Sequence, residues 1–214
     1  LSPLENETVL KESGLCFMFA QVYHASMKYA APVRKELGTR TIFNVLGPLA
    51  NPAAADINLI GVYDKSLVRP IAQVLFNLGV RRGMVVHGLD GLDEISMSDK
   101  TAVCEIDGDT LKSYTLDPRT FGFSFCSRTQ LTGGGAVENA EIAKRVLSGE
   151  KGPKSDIIAL NAAVVLYLAD KCKSIADGIT LAKKALTDGS AYKKMQDFIR
   201  ATNRVRGLNV REKL

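Results

Sequence analysis

The stretch that decides the fold is INLIGVYDKSLVRPIAQVLFNLGVRRGMVVHG, residues 57–88. Two short apolar runs, 57–63 and 83–87, flank a segment at 67–78 whose apolar residues have the spacing of a helix, and Gly79 can end that helix. A strand, a helix and a second strand at this spacing predict a βαβ unit with two parallel strands. The expected fold class is therefore α/β.

Downstream of this unit, the sequence predicts a hairpin and then a series of helices. Strand-like runs at 101–106 and 111–115 flank Asp107-Gly108-Asp109, which favours an antiparallel hairpin. We therefore expect a mixed, largely parallel sheet flanked by helices. Helical patterns follow at 138–147, 156–169, 175–186 and 192–201.

The chain opens with a strong helix start signal. Ser2 can cap the helix, Pro3 suits its first position, Glu5 completes a capping box, and Gly14 can end it. Because Leu1 stands where an initiator Met would, we expect the chain to begin inside a longer protein.

Two further helical segments are expected before the βαβ unit. Residues 15–31 have a mostly helical pattern that Pro32 interrupts. A short helix at 33–37, ended by Gly38, should follow.

Composition sets broad limits. A chain of 214 residues with 46% hydrophobic residues can bury a core as one compact domain, residues 1–214, and we expect a loosely ordered tail at 205–214. The apolar runs fall short of the roughly 20 residues that span a bilayer, so we expect no membrane partner and a cytoplasmic location. The four cysteines lack metal or disulfide spacing. A net charge of +5 suits phosphates or nucleic acid without choosing between them.

Asp93 and Glu94 are the candidate metal ligands. Adjacent carboxylates in an extended loop point to different sides of the backbone and together can hold hydrated Mg²⁺. A solvated pair is the alternative, but Gly88 and Gly91 allow a tight turn just past a predicted strand, where ligand sites of α/β sheets collect. This context favours the metal site.

A second polar segment, residues 24–52, holds the candidate substrate residues. Arg34 follows a proline on a short rigid element, which suits bidentate binding of a carboxylate. His24 and Asn44 lie about ten residues to either side. For His24 the alternative is a helix-face histidine with a structural partner, which is the commoner case.

Two other chemistries are not favoured. The run Gly133-Gly134-Gly135 lacks the Lys and Ser/Thr of a phosphate loop, and Glu138 would repel an anion, so a close-packed turn is expected, with Asn139 and Asn161 as buried anchors of their helices. Nucleophile and zinc motifs are missing from the sequence as well.

Together these segments resemble the C-terminal, larger portion of the anthranilate phosphoribosyltransferase family. The segments that carry the resemblance are HASMK (24–28), APVRKELG (31–38), RTIFNVLGPLANP (40–52), GLDGLDE (88–94) and LNAA (160–163). The related class includes pyrimidine nucleoside phosphorylases and a non-catalytic, nucleic-acid-binding relative. These remain the alternatives, although the setting of Arg34 and the intact acidic pair disfavour them.

The resemblance implies transfer of a phosphoribosyl group from phosphoribosyl pyrophosphate to anthranilate in tryptophan biosynthesis, with release of pyrophosphate. It also implies that Arg34, His24 and Asn44 bind anthranilate, that Asp93 and Glu94 bind Mg²⁺, and that the whole protein is a homodimer. Catalytic residues are not assigned.

Two departures from the family pattern stand out. HASM replaces the usual His-Pro-Ala-Met, and neither the Gly-Thr-Gly-Gly-Asp loop nor the Lys-His-Gly-Asn segment occurs in the sequence. We therefore expect these residues alone, with at most a remnant of the helical domain, to be an inactive fragment.

Overall fold

A computed structural model describes residues 1–24, 36, 46–47 and 49–207. The described elements in chain order are α1 (Pro3–Ser13), α2 (Ala20–Tyr23), β1 (Ile57–Gly61), α3 (Val68–Asn77), β2 (Arg82–Gly88), β3 (Thr101–Asp107), β4 (Thr110–Leu116), α4 (Arg128–Leu131), α5 (Ala136–Leu147), α6 (Pro153–Leu168), α7 (Ile175–Thr187) and α8 (Ser190–Val205). Short 3₁₀ helices lie at Lys65–Leu67 and Pro118–Phe121.

The chain forms two compact units. One unit combines Leu1–Pro52 with Ser190–Leu214, and the other is Ala53–Gly189. The first and last long helices, α1 and α8, pack against each other within the first of these units. The assignment of residues 1–214 to one domain stays a prediction. Among the described residues, no helix is both long and apolar enough to cross a membrane.

The first helix forms as predicted. The Ser2 hydroxyl accepts a hydrogen bond from the Glu5 N–H at 3.3 Å, and the Glu5 carboxylate accepts one from the Ser2 N–H at 2.6 Å. Gly14 ends the helix in the left-handed region, at φ 77°. This conformation suits glycine because it has no Cβ.

The expected helix at 15–31 is only partly correct within the described residues. Helix α2 occupies Ala20–Tyr23, whereas residues 15–19 are not helical. The Ser13 hydroxyl donates to the Leu15 carbonyl at 2.8 Å, and the Asn6 amide donates to the Phe17 carbonyl at 3.1 Å. Side chains thus satisfy carbonyls that a helix would otherwise use. Apart from Glu36, the short helix expected after Pro32 lies outside the described residues.

The sheet confirms the βαβ unit and the hairpin. Strands β1 and β2 are parallel, with α3 between them in sequence, whereas the pairs β2–β3 and β3–β4 are antiparallel. The α/β class and the mixed sheet are confirmed. The qualifier "largely parallel" is wrong for the described strands, because one pairing of three is parallel. Residues 89–100 connect β2 to β3 without a crossover helix, so β3 runs back along its neighbour.

Helix α6 covers one face of this sheet. Leu160 and Val164 of α6 are fully buried in one apolar cluster with Met84 and Val86 of β2 and Val103 of β3. Burial of such a side chain stabilises the fold by about 1.5–3 kcal/mol. This packing fixes the position of α6 against the strands. A polar side chain of α6 can therefore reach a loop at the edge of the sheet.

The remaining predicted helices are present as α5, α6, α7 and α8, each starting or ending within a few residues of the expected position. Ser174 caps α7 by accepting from the Asp177 N–H at 3.1 Å. A loose tail was expected at 205–214. Its first residue, Val205, belongs to α8, and residues 208–214 lie outside the described residues.

Candidate metal centre on the loop after strand β2

The acidic pair lies where it was predicted, on the loop 89–100 that follows β2. Asp93 and Glu94 have exposed side chains and no regular secondary structure. Strands β1 and β2 are parallel, so their carboxyl ends share the edge of the sheet from which this loop leaves. That edge is where α/β sheets usually bind ligands.

A hydrogen-bond network centred on Asp90 shapes the loop. The Asp90 carboxylate accepts from the Ser96 hydroxyl at 2.9 Å, from the Ser98 hydroxyl, and from the Leu92 N–H at 3.3 Å. Burial raises the pKa of Asp90, but these hydrogen bonds outweigh it, and the pKa falls below its ordinary value. The Ser96 N–H donates to the Thr101 hydroxyl at 3.0 Å, which ties the network to β3. Asp90 is therefore an ionised structural hub.

Two glycines allow the loop to approach the sheet closely. A Cβ on Gly61, at the end of β1, would lie 1.5 Å from the Asp93 carbonyl oxygen. A Cβ on Gly88 would lie 2.5 Å from a carboxylate oxygen of Asp90. Any side chain at either position would push the loop away, so both glycines are needed for its observed path.

Two polar side chains hold the loop from the helical side. Arg128 of α4 donates to the Asp90 carbonyl at 2.7 Å. Asn161 of α6 accepts from the Ile95 N–H at 3.2 Å and donates to the Ile95 carbonyl at 2.9 Å. The expected role of Asn161 as a buried anchor of its own helix needs correction, because its side chain is half-buried and mainly holds the loop.

Asn139 makes a similar pair of bonds elsewhere. It accepts from the Gly134 N–H at 2.9 Å and donates to the Gly134 carbonyl at 2.8 Å. It is exposed, so the prediction that it is buried is wrong. A Cβ on Gly133 would lie 2.1 Å from the Asn139 side-chain oxygen and one on Gly134 would lie 1.9 Å from a Glu138 carboxylate oxygen, whereas one on Gly135 would meet no atom within 4 Å. The close packing expected for the three glycines is therefore wrong for Gly135.

The electrostatics of the pair favour a cation. Desolvation by the surrounding protein, followed by repulsion from Asp93, raises the pKa of Glu94 above its ordinary value, even though much of its side-chain area is open to solvent. A divalent cation between the two carboxylates would relieve this repulsion.

The donor set fits Mg²⁺ in particular. Magnesium keeps several waters and often needs only one or two protein carboxylates when a substrate phosphate completes its shell. Within the described ranges, no group of three or more His, Cys, Asp or Glu side chains could hold a metal ion. A site with two carboxylates that shares its Mg²⁺ with a substrate phosphate agrees with this preference of Mg²⁺ and needs no third protein ligand of these types.

Of the other predicted site residues, the structure describes His24 alone. His24 lies at the end of α2 in the other compact unit, with its N–H bonded to the Ala20 carbonyl at 2.8 Å. Arg34 and Asn44 lie outside the described residues. The two metal-ligand assignments and the three anthranilate assignments therefore all stay predictions.

Sequence reasoning missed the residues that support the acidic pair. Gly61 had a usable signal, because an isolated glycine inside a strand pattern often marks a close backbone approach. Asp90 and Asn161 gave weaker signals, since their partners depend on how α6 and β3 pack.

The chain can be assigned to a class of protein. Residues 1–192 match the family described as "Glycosyl transferase family, a/b domain", and the chain belongs to that family.

Within it, the chain is similar to anthranilate phosphoribosyltransferases. It is 51% identical over 203 residues to the enzyme of Methanobrevibacter smithii, covering 95% of this chain and 61% of that protein. It is 50% identical over 203 residues to the enzyme of Ruminiclostridium cellulolyticum, covering 95% of this chain and 60% of that protein.

Solved structures show the same likeness. The anthranilate phosphoribosyltransferase of Thermus thermophilus matches with a TM-score of 0.87 at 40% identity, covering 94% of this chain and 60% of that one. The Saccharomyces cerevisiae enzyme in complex with PRPP and Mg matches with a TM-score of 0.87 at 30% identity, covering 95% of this chain and 59% of that one. The chain thus spans about 60% of the length of the relatives it matches.

Proposed function

We propose that the protein of which this chain is a part transfers a phosphoribosyl group from phosphoribosyl pyrophosphate to the amine of anthranilate, releasing pyrophosphate, in tryptophan biosynthesis. The observation that carries the proposal is the exposed Asp93–Glu94 pair on a braced loop at the carboxyl edge of β1 and β2. Family membership and the printed names of the relatives support it.

The role of the acidic pair follows from charge. Asp93 and Glu94 would hold Mg²⁺, which when bound neutralises charge on the departing pyrophosphate. The two carboxylates must first be kept side by side against their own repulsion. Gly61 and the Asp90 network do this by fixing the path of the backbone.

The anthranilate site is proposed from the resemblance. The Arg34 guanidinium would pair with the carboxylate of anthranilate in a two-point geometry, and His24 and Asn44 would line the site around the ring. Orienting the amine toward the sugar carbon lowers the barrier because little motion remains to be lost in the reaction.

We propose that residues 1–214 correspond to the C-terminal portion of the whole protein. The sequence lacks the Gly-Thr-Gly-Gly-Asp and Lys-His-Gly-Asn segments of the family, so these residues alone should not turn over. The whole protein is proposed to be a cytoplasmic homodimer. Nucleic acid is not a proposed partner.

The test is a kinetic experiment on the protein with its complete natural chain. Asp93→Asn should sharply lower turnover and its dependence on magnesium concentration, and Arg34→Ala should mainly raise the KM for anthranilate. Asp99→Asn is the matched control, because it removes one carboxylate charge from the same loop and the asparagine can still accept the 2.7 Å bond from the Lys100 N–H.

An unchanged magnesium response in Asp93→Asn would remove the metal assignment. Phosphorolysis of a pyrimidine nucleoside, or salt-sensitive binding of nucleic acid without any response to anthranilate, would instead support one of the two related functions.

A further inference from the structure

We propose that Asn161 is a positioning residue for the acidic pair: its side-chain amide fixes the backbone of Ile95 and so keeps the two preceding carboxylates aimed at one cation. This inference rests on the proposed metal-binding function of Asp93 and Glu94. It assigns a functional role to a residue of α6 that is separated from Ile95 by 66 positions in the sequence.

The bonding pattern is that of a clamp. Asn161 binds both polar backbone groups of one residue, accepting from the Ile95 N–H at 3.2 Å and donating to the Ile95 carbonyl at 2.9 Å. A third bond, from the Asn161 amide to the Ile157 carbonyl at 3.0 Å, fixes the orientation of the amide. A carboxamide offers the donor and the acceptor side by side that this pattern requires.

The clamp acts on a point that is otherwise firmly placed. The Ile95 side chain is 0% exposed and lies in the apolar cluster that includes Leu160 of α6. The Ile95 backbone is thus bonded to α6, and its side chain is buried in a cluster to which α6 contributes. Asn161 thus holds both peptide groups of Ile95, the one that joins it to Glu94 and the one that joins it to Ser96.

A rigid attachment is needed here because the two carboxylates repel each other. A loop free to relax would separate the two groups and weaken a shared cation site. Residues that orient metal ligands in this indirect way typically contribute about 10–100-fold to metal affinity.

The test compares Asn161→Ala with Asn139→Ala in the complete protein. Asn139 makes the same pair of backbone bonds, to Gly134, away from the acidic loop, so it controls for the loss of a backbone clamp as such. We expect Asn161→Ala to raise the magnesium concentration for half-maximal activity about 10-fold or more, with little change in the KM for anthranilate. Asn139→Ala should leave both values unchanged.

A second measurement separates positioning from stability. Thermal unfolding and hydrogen exchange of the Ile95 amide should be followed in the same variants of the complete protein. Faster exchange at Ile95 in Asn161→Ala supports the clamp. A lower melting temperature together with a wild-type magnesium response shows a purely structural role and overturns the proposal.

If Asn161→Ala does not fold, Asn161→Asp replaces it. This variant is isosteric and keeps an acceptor for the Ile95 N–H, but it loses the donor to the Ile95 carbonyl. A wild-type magnesium response in Asn161→Asp overturns the proposal, whereas a raised requirement that is not seen in Asn139→Asp supports it.

Failure of the proposed function gives a different result. In that case both Asp93→Asn and the Asn161 variant keep a wild-type magnesium response. The rate of hydrogen exchange at the Ile95 amide then decides whether the clamp exists. If the Ile95 amide exchanges no faster in the Asn161 variant, the clamp itself is refuted.

Discussion

Replacement of Gly61 by alanine should displace the acidic loop. The added Cβ would lie 1.5 Å from the Asp93 carbonyl oxygen, whereas ordinary contacts begin at 3.4 Å, so the two groups must separate by about 1.9 Å. Overpacking of this kind costs about 1–3 kcal/mol of stability. A misplacement of about 1 Å in a catalytic group can lower the rate about 100-fold.

The assay measures magnesium-dependent phosphoribosyl transfer in the complete protein, alongside thermal unfolding. We expect Gly61→Ala to lower kcat/KM by about 100-fold or more and to raise the magnesium requirement, with a fall of a few degrees in Tm. The control is Gly135→Ala, because Gly135 has φ −70° and no atom within 4 Å of the added Cβ. Wild-type activity and Tm in Gly61→Ala would refute the view that this glycine sets the position of Asp93.

Two further predictions follow from charged groups. Burial and the nearby Asp93 raise the pKa of Glu94, so the ionised Glu94 side chain destabilises the folded state above pH 4.5. Glu94→Gln should therefore raise the Tm at neutral pH and weaken the magnesium response. A lower Tm for this variant in the absence of magnesium would contradict the reasoning. The hydrogen bond from Arg119 lowers the pKa of Asp117 to about 2, so the ionised Asp117 stabilises the fold above pH 3.8 and this stabilisation is lost as the pH falls toward 2. In Asp117→Asn, the urea midpoint of unfolding should therefore change less with pH between 3.8 and 2. An unchanged pH dependence of that midpoint would count against the pairing.

The parts of the fold that sequence predicted well depend on neighbours in the chain. The capping box at Ser2 and Glu5, the helix between β1 and β2, and the hairpin around Gly108 all have signals within a few residues. The non-helical path of residues 15–19 could not be predicted in this way, because the Asn6 side chain bonds to Phe17 across 11 positions.

The same distinction applies to the site. The Asp93–Glu94 pair was predictable because a glycine-rich turn directly follows an apolar strand. Its supports were not, because Gly61 and Asn161 reach the loop only after β1 and α6 have packed. Gly61 is the exception in principle, since a glycine inside a strand pattern is itself a signal.

The pairing of α1 with α8 has a consequence for how the chain is made. The Lys194 ammonium donates to the Ser13 carbonyl at 2.9 Å, across 181 positions of sequence. During translation, α1 leaves the ribosome long before its partner, whereas the continuous segment Ala53–Gly189 can fold as soon as it is synthesised. The sheet unit should therefore fold first, and the unit that joins α1 to α8 should form only as synthesis of α8 finishes.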